Sequence, residues 1–294
     1  MIGYVFSGQG AQSTGMGREL YEKSEAGRRV FNMADHIRPG TSVQCFEASK
    51  EELSLTINTQ PCLFTVDLAA ARAVDALGYR AEAAAGFSLG EIAALAYTEA
   101  MSDEAAFRLV CERARLMHLT SQKNPGAMMA VLGLDKKTVQ ELCSHFTKTE
   151  PVNFNCPGQI VVSGLPEELD HLASLVKEKG GKGRRLAVSG AFHSSFMTEA
   201  AEQLEEYLQD AEINDPRIPL YSNKTGTLYS GDPKELVKMQ VCSAVRWQDI
   251  IENMAASGVD TFIEVGAGKV LCGLIAKTLP QAKTIHYSEL LEQK

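Results

Sequence analysis

The sequence lacks several things, and each absence excludes a class of protein. It has no CxxC pair: its seven cysteines stand scattered at 45, 62, 111, 143, 156, 242 and 272. An odd, scattered set argues against a disulfide framework or a zinc site and fits reduced thiols. No apolar run reaches the ~18 residues that a membrane span requires. The opening MIGYVFSGQG has neither the basic start nor the long apolar segment of a secretory signal, so the expected setting is cytoplasmic. Basic residues are in the minority, with 29 Lys and Arg against 37 Asp and Glu and a formal net charge of -8. That balance argues against general nucleic-acid binding. No repeat spans the chain.

What is present is an ordinary globular composition. The 294 residues are 45% hydrophobic and 22% charged, enough for one large domain or two smaller ones. IGYVF (2–6) reads as a buried strand, followed by the Gly-rich loop SGQGAQSTGMG. Residues 18–36 read as a helix, and 58–77 as another with Pro61 in its first turn. AEAAAGF (81–87) reads as a short strand. Helices are expected at 91–97 and 103–121, the second capped by Ser102.

The pattern changes from 126 to 190. AMMAVLGL is strand-like, 136–146 helical, PVNFN and QIVVSGL strand-like, 166–179 helical with Gly180-Gly181 after it, and RRLAVSG strand-like. That order, βαββαβ, is the ferredoxin-like pattern. Afterwards come a helix at 198–211, IPLYSN, a helical stretch at 233–256, TFIEVG and TIHYSE. The expected fold is α/β: a large parallel-sheet domain of α/β-hydrolase type (1–125 and 191–294) interrupted by a small ferredoxin-like subdomain (126–190).

Within AAAGFSLGEIAAL (83–95), Ser88 stands between Gly86 and Gly90 where a strand gives way to a helix. Flanking glycines permit the tight turn of a G-x-S-x-G nucleophile elbow. The N–H groups at the helix start can hold an oxyanion during acyl transfer, and Leu89 supplies one. The same pentapeptide also occurs in plain helix-entry turns. A nucleophilic serine requires a base. Among six histidines, His36 and His145 fall at polar helix ends, and His118 and His171 within helices. His193, in SGAFHSSFM, and His286, in TIHYSE, are the candidates. An α/β-hydrolase order of Ser88, Asp260 or Glu264, and His286 stays open on pattern alone. Gly8-Gln9-Gly10-Ala11-Gln12-Ser13 nearly matches a dinucleotide fingerprint, but Ser13 replaces the third glycine and no second strand ending in an acid follows.

Five segments together resemble the acyltransferase family of fatty-acid and polyketide synthesis. They are FSGQGAQ (6–12), GFSLGE (86–91), VNFNCPGQIVVSG (152–164), GAFHS (190–194) and EVGAGKVLCGL (264–274), in the family's order from about residue 2 to 275. The resemblance implies ping-pong transfer of malonyl from malonyl-CoA to the phosphopantetheine thiol of an acyl carrier protein, with no metal or redox cofactor. It implies Ser88 as nucleophile and His193 as base, oriented by a neutral acceptor at Gln240. Gln9 and Leu89 would give the oxyanion N–H groups. Arg113 would grip the malonyl carboxylate, a task suited to a planar guanidinium. Met117 and Phe192 would line the acyl pocket.

Two positions depart from the family pattern. Phe87 stands where His is usual, which puts rate and pocket polarity in question. Ser7 stands where Pro is usual, with an expected effect on loop stiffness only. KEKGGKGRR (177–185) is a basic stretch that reads as a solvated turn or as a docking patch for an acidic carrier. Nothing in the sequence demands more than a monomer.

Overall fold

The computed structural model describes residues 1–188 and 190–292. Its strands are β1 (Ile2–Phe6), β2 (Ala83–Gly86), β3 (Ala127–Leu132), β4 (Glu150–Cys156), β5 (Gln159–Gly164), β6 (Lys182–Arg185), β7 (Leu220–Tyr221), β8 (Thr261–Val265) and β9 (Lys283–His286). They form two sheets. The larger is all parallel, in the order β7-β2-β1-β8-β9. Its central strands are covered on both faces, so they read as continuous apolar runs rather than alternating ones. β2 is Ala-Ala-Ala-Gly, buried throughout, and its small side chains let helices approach closely. The helix Thr56–Ala76 is buried nearly all round, as befits a central helix. Because it starts at Thr56, Pro61 falls in the second turn rather than the first. There its missing N–H leaves the carbonyl of half-exposed Ile57 without an in-helix donor.

The second sheet is antiparallel, in the order β4-β5-β3-β6. With the helices Lys136–Cys143 and Pro166–Glu178, it has the ferredoxin-like connectivity that the sequence order implies. The small sheet is tied to the segment between the helices Pro233–Gln240 and Trp247–Ala256, where Phe154 N donates to Val245 O (2.9 Å) and Val245 N to Val152 O (2.8 Å). The site described below lies along this seam.

Three expected elements differ. The helix expected at 18–36 is two helices, Arg18–Lys23 and Glu25–Ile37. Ser24 adopts extended angles between them, and its side chain accepts from Gly27 N. A serine oxygen competes well for the free N–H groups of a new helix. The stretch 233–256 also divides, into Pro233–Gln240 and Trp247–Ala256. The strand expected at RRLAVSG lies earlier, at Lys182–Arg185, and Leu186 and Val188 beyond it line a cavity beside Ser88. Ser189 of that expected strand, and residues 293–294 of the expected large domain, lie outside the described residues.

Among the described residues, no helix is long and apolar enough to cross a membrane. Nor does any group of three or more His, Cys, Asp or Glu side chains there form a candidate metal site.

Candidate active site

Ser88 sits at the carboxyl end of β2, where ligands gather in parallel α/β sheets. Its backbone is in the left-handed region (φ 54°), which a non-glycine residue adopts only when its surroundings enforce it. The flanking glycines are part of that enforcement. A Cβ on Gly86 would lie 1.9 Å from Gly90 C, and one on Gly90 would lie 2.4 Å from Phe6 O. Asn223 locks the turn: it accepts from Ser88 N (2.7 Å) and donates to Gly86 O (2.6 Å). His193 is also left-handed (φ 60°).

Ser88 Oγ lies 2.7 Å from His193 Nε2. The other ring nitrogen, Nδ1, lies 2.9 Å from the main-chain oxygen of Gln240. A carbonyl can only accept, so Nδ1 carries the hydrogen and neutral Nε2 is free to accept the serine proton. The orienting group is therefore the Gln240 carbonyl, exposed for this use because the helix ends at Gln240. The break that sequence periodicity missed creates the acceptor.

The Gln240 side chain has a separate task. Its amide donates to Ser88 O (2.7 Å) and Glu91 Oε2 (3.2 Å). Its oxygen accepts from Arg113 Nε (3.2 Å) and Nη2 (2.8 Å). Arg113 is 1% exposed, unlike exposed Arg108 and Arg115 on the same helix. It also donates to Gln60 Oε1 (2.6 Å) and to Ser88 Oγ (3.2 Å). A guanidinium thus touches the hydroxyl itself. Burial pulls its pKa down to about 10, opposed by Glu91.

Met117, Phe192, Gln9 and Leu89 line one cavity with Ser88 and His193, of about 80 Å³. Among the described residues, no protein acceptor takes the N–H of Gln9 or Leu89. Phe87 lines the same cavity and packs edge-on against Trp247, with ring centroids 5.4 Å apart. Ser7 does more than stiffen a loop. It donates to Asp67 Oδ1 (2.7 Å), a fully buried carboxyl that burial pushes well above the usual carboxylate range.

The alternative base is elsewhere. His286 caps the helix Tyr287–Leu291 and its Nε2 bonds to Gly266 O (3.1 Å). Glu264 caps the helix Val270–Thr278 by accepting from Leu271 N and Cys272 N. Asp260 pairs with the N-terminal amine. The hydrolase order is not assembled.

Burial pushes the His193 pKa down to about 4, with neighbouring Arg113 adding to the effect and the Gln240 and Ser243 carbonyls opposing it. Beneath the pair lies Glu91, fully buried and pushed up to about 7 by that burial. It accepts from Asn223 N (2.9 Å), from the Gln240 amide and from the Tyr229 hydroxyl. One carboxylate therefore holds both the residue that locks the elbow and the residue that orients the base. It also balances the charge of Arg113. Glu91→Gln leaves one carboxamide oxygen where two carboxylate oxygens accept from three donors, and it removes the counter-charge of Arg113. The expected result is a loss of about 1–3 kcal/mol in stability, read from the urea midpoint, together with reduced turnover.

Sequence reading missed Gln60, Glu91, Asn223 and Tyr229. Three had a signal: Gln60 and Glu91 are polar residues inside apolar helices, and Asn223 closes the strand-like IPLYSN, two residues past β7. Tyr229 had none.

Known proteins resemble this chain along nearly its whole length. The model of the acyl transferase domain family matches residues 3–293. The malonyl CoA-acyl carrier protein transacylase of Bacillus subtilis (strain 168) is 39% identical, over 98% of this chain and 93% of that protein. The crystal structure of the malonyl CoA-acyl carrier protein transacylase from Clostridium perfringens superposes with a TM-score of 0.95 at 35% identity, covering 99% of this chain and 95% of that one. A type II polyketide-synthase acyl-carrier protein in complex with its malonyl-transacylase includes a chain that matches at TM-score 0.94 and 28% identity, with 100% and 99% covered. The fold, the Ser88–His193 pair and the match along nearly the whole length lead to one conclusion: this chain belongs to the acyl transferase domain family.

Proposed function

We propose that the chain transfers a malonyl group from malonyl-CoA to the phosphopantetheine thiol of an acyl carrier protein, through an ester on Ser88. The observation that carries this reading is the buried guanidinium of Arg113 in contact with Ser88 Oγ. A three-carbon diacid attached to that oxygen places its free carboxylate within reach of the arginine. An acetyl group offers it nothing.

In the first half-reaction, Ser88 Oγ attacks the thioester carbonyl while its proton passes to His193 Nε2. The oxyanion is met by the N–H groups of Leu89 and Gln9. The C–S bond then breaks, and His193 returns the proton to the departing coenzyme A sulfur. The second half-reaction runs the same steps in reverse order with the carrier thiol. Met117 and Phe192 bound the acyl group. Arg113, buried beside Ser88 Oγ, disfavours the alternative of hydrolysing stalled acyl chains, because an uncharged chain offers it no partner. All the reacting groups come from one chain, so a monomer suffices. The large domain supplies Ser88, Arg113 and Gln240, and the inserted subdomain closes the cavity over them. Seven free cysteines support a cytoplasmic setting.

The test is transfer itself. Purified protein with malonyl-CoA and holo carrier protein should give malonyl-carrier by mass spectrometry, and acetyl-CoA should give far less acyl-carrier. Equal transfer of both groups would overturn the malonyl assignment.

The acidic carrier meets a basic edge. Lys182, Arg184 and Arg185 are exposed on β6, and Leu186 just beyond them lines the cavity. Arg185 pairs with Asp170 (2.6 Å), which leaves Arg184 the freer of the two. Arg184→Glu should raise KM for the carrier several-fold, more so at low salt, with KM for malonyl-CoA holding. Unchanged carrier kinetics would remove this docking surface.

A further inference from the structure

The loop after β1 carries Gln9, whose N–H meets the oxyanion, and such donors are effective only when they are held in place beforehand. Gln9 is bracketed by two side-chain anchors. On one side, Gly10 N donates to Gln12 Oε1 (2.7 Å). On the other, Ser7 Oγ donates to Asp67 Oδ1 (2.7 Å). The first anchor is local. The second reaches 60 positions along the chain, into the buried helix Thr56–Ala76. The family pattern has Pro at position 7, and a proline ring fixes φ. Serine has no ring, so the bond to Asp67 is the restraint that its side chain supplies.

Asp67 is fully buried, and aspartate is almost never so unless it is paired. It stands where three segments meet. A Cβ on Gly266 (φ 143°) would lie 2.0 Å from Asp67 Oδ1 and 2.7 Å from Ser7 Oγ, so only glycine admits the loop after β8 to this point. A Cβ on Gly268 would lie 3.5 Å from Ala11, so the loop after β8 also flanks the loop after β1. A Cβ on Gly8 would lie 2.6 Å from Phe87 O, so the Gln9 loop presses on the elbow that carries Ser88. Asp67 Oδ2 has no hydrogen-bond partner among the described residues, which leaves the Ser7 hydroxyl as the side-chain donor that this carboxyl holds. Burial pushes the Asp67 pKa well above the usual carboxylate range; the Ser7 hydroxyl opposes this and Glu264 adds to it. Asp67 therefore serves as a neutral hydrogen-bond acceptor rather than as a charge.

We propose that Asp67 is a positioning residue for acyl transfer: through Ser7 it holds the Gln9 N–H where the oxyanion forms beside Ser88. It touches no reacting atom. This rests on the acyl-serine reading above, since the oxyanion arises only when Ser88 attacks a carbonyl. The bond should matter little to bound substrate and much to the transition state, where the Gln9 N–H meets the developing charge.

The test separates kcat from KM. Ser7→Ala and Asp67→Ala should each lower kcat by about 10- to 100-fold, counted per Ser88 that can be acylated. KM for malonyl-CoA should stay within about twofold of the wild type. The two residues act through one bond, so the double variant should be no slower than Asp67→Ala. Asp67→Asn keeps a neutral acceptor of the same shape and should recover most of the kcat lost in Asp67→Ala. Ser7→Ala removes a single oxygen and carries the test if Asp67→Ala folds poorly. Acylation of Ser88 by p-nitrophenyl acetate uses the same oxyanion donors and needs no free carboxylate, so the same variants should slow it in like proportion. If the wild type takes acetyl from that ester but no malonyl from malonyl-CoA, the malonyl assignment falls, and the ester series still decides the role of Asp67. Variants that melt earlier yet keep wild-type kcat, or Asp67→Asn as slow as Asp67→Ala, would overturn the proposal and leave Asp67 a support of the fold alone.

Discussion

Substituting His193 by alanine is expected to lower kcat by about 10⁴- to 10⁶-fold, while His286→Ala keeps wild-type turnover. The contrast follows from geometry. His193 Nε2 is 2.7 Å from Ser88 Oγ, whereas His286 is engaged in capping and in a bond to Gly266 O. The pH dependence carries the same information. Burial and Arg113 lower the His193 pKa to about 4. A base must be neutral to accept a proton, so the His193 limb of kcat/KM should fall as pH drops through about 4, well below the usual histidine range near 6.5. In the other direction, Gln240→Ala should leave the main-chain acceptor for Nδ1 in place. Its effect should come through the lost bonds to Ser88 O, Glu91 and Arg113, and should be smaller than that of His193→Ala. Activity loss on His286→Ala, with His193→Ala active, would restore the hydrolase order.

Arg113→Ala is the second large change. Removing one partner of a buried, hydrogen-bonded charge pair typically costs 30-fold to several thousand-fold, so kcat/KM for malonyl-CoA should fall by about 10²- to 10³-fold. Acetyl-CoA has no carboxylate to lose, and its kcat/KM should fall far less or rise. Selectivity between the two, read from competing substrates in one tube, therefore inverts. Lysine should not restore it, because an ammonium cannot make two parallel bonds to a carboxylate. The variant also leaves the Gln60 and Gln240 oxygens without their donor and Glu91 without its counter-charge. Some loss of stability should accompany the loss of selectivity. With the cation gone, the His193 pKa should move up, and the acid limb with it. If acetyl-CoA and malonyl-CoA lose activity in equal proportion, Arg113 supports the site without selecting the substrate.

Much of this was legible in the sequence because it is local. A serine between two glycines after a run of alanines encodes an elbow, since only glycine tolerates the approach of Gly86 to Gly90. The βαββαβ order encodes the small sheet. The family resemblance singled out Arg113, and burial separates it from exposed Arg108 and Arg115 on the same helix. What was not legible depends on distant segments meeting. Glu91 and Asn223 are 132 positions apart in the chain, and Glu91 and Tyr229 are 138 apart; no periodicity announces their bonds. The helix end at Gln240 was hidden because the apolar pattern continues across the break. Its importance lies in a carbonyl, which every residue has.

The most direct measurement is the intact mass of the protein after brief mixing with malonyl-CoA, beside Ser88→Ala treated alike. The expected result is a malonyl-sized increment on the wild type, none on the variant, and loss of the increment when holo carrier protein is added. An increment that persists in Ser88→Ala, or acetyl labelling as strong as malonyl, would contradict the assignment of Ser88 as the acyl carrier and Arg113 as its selector.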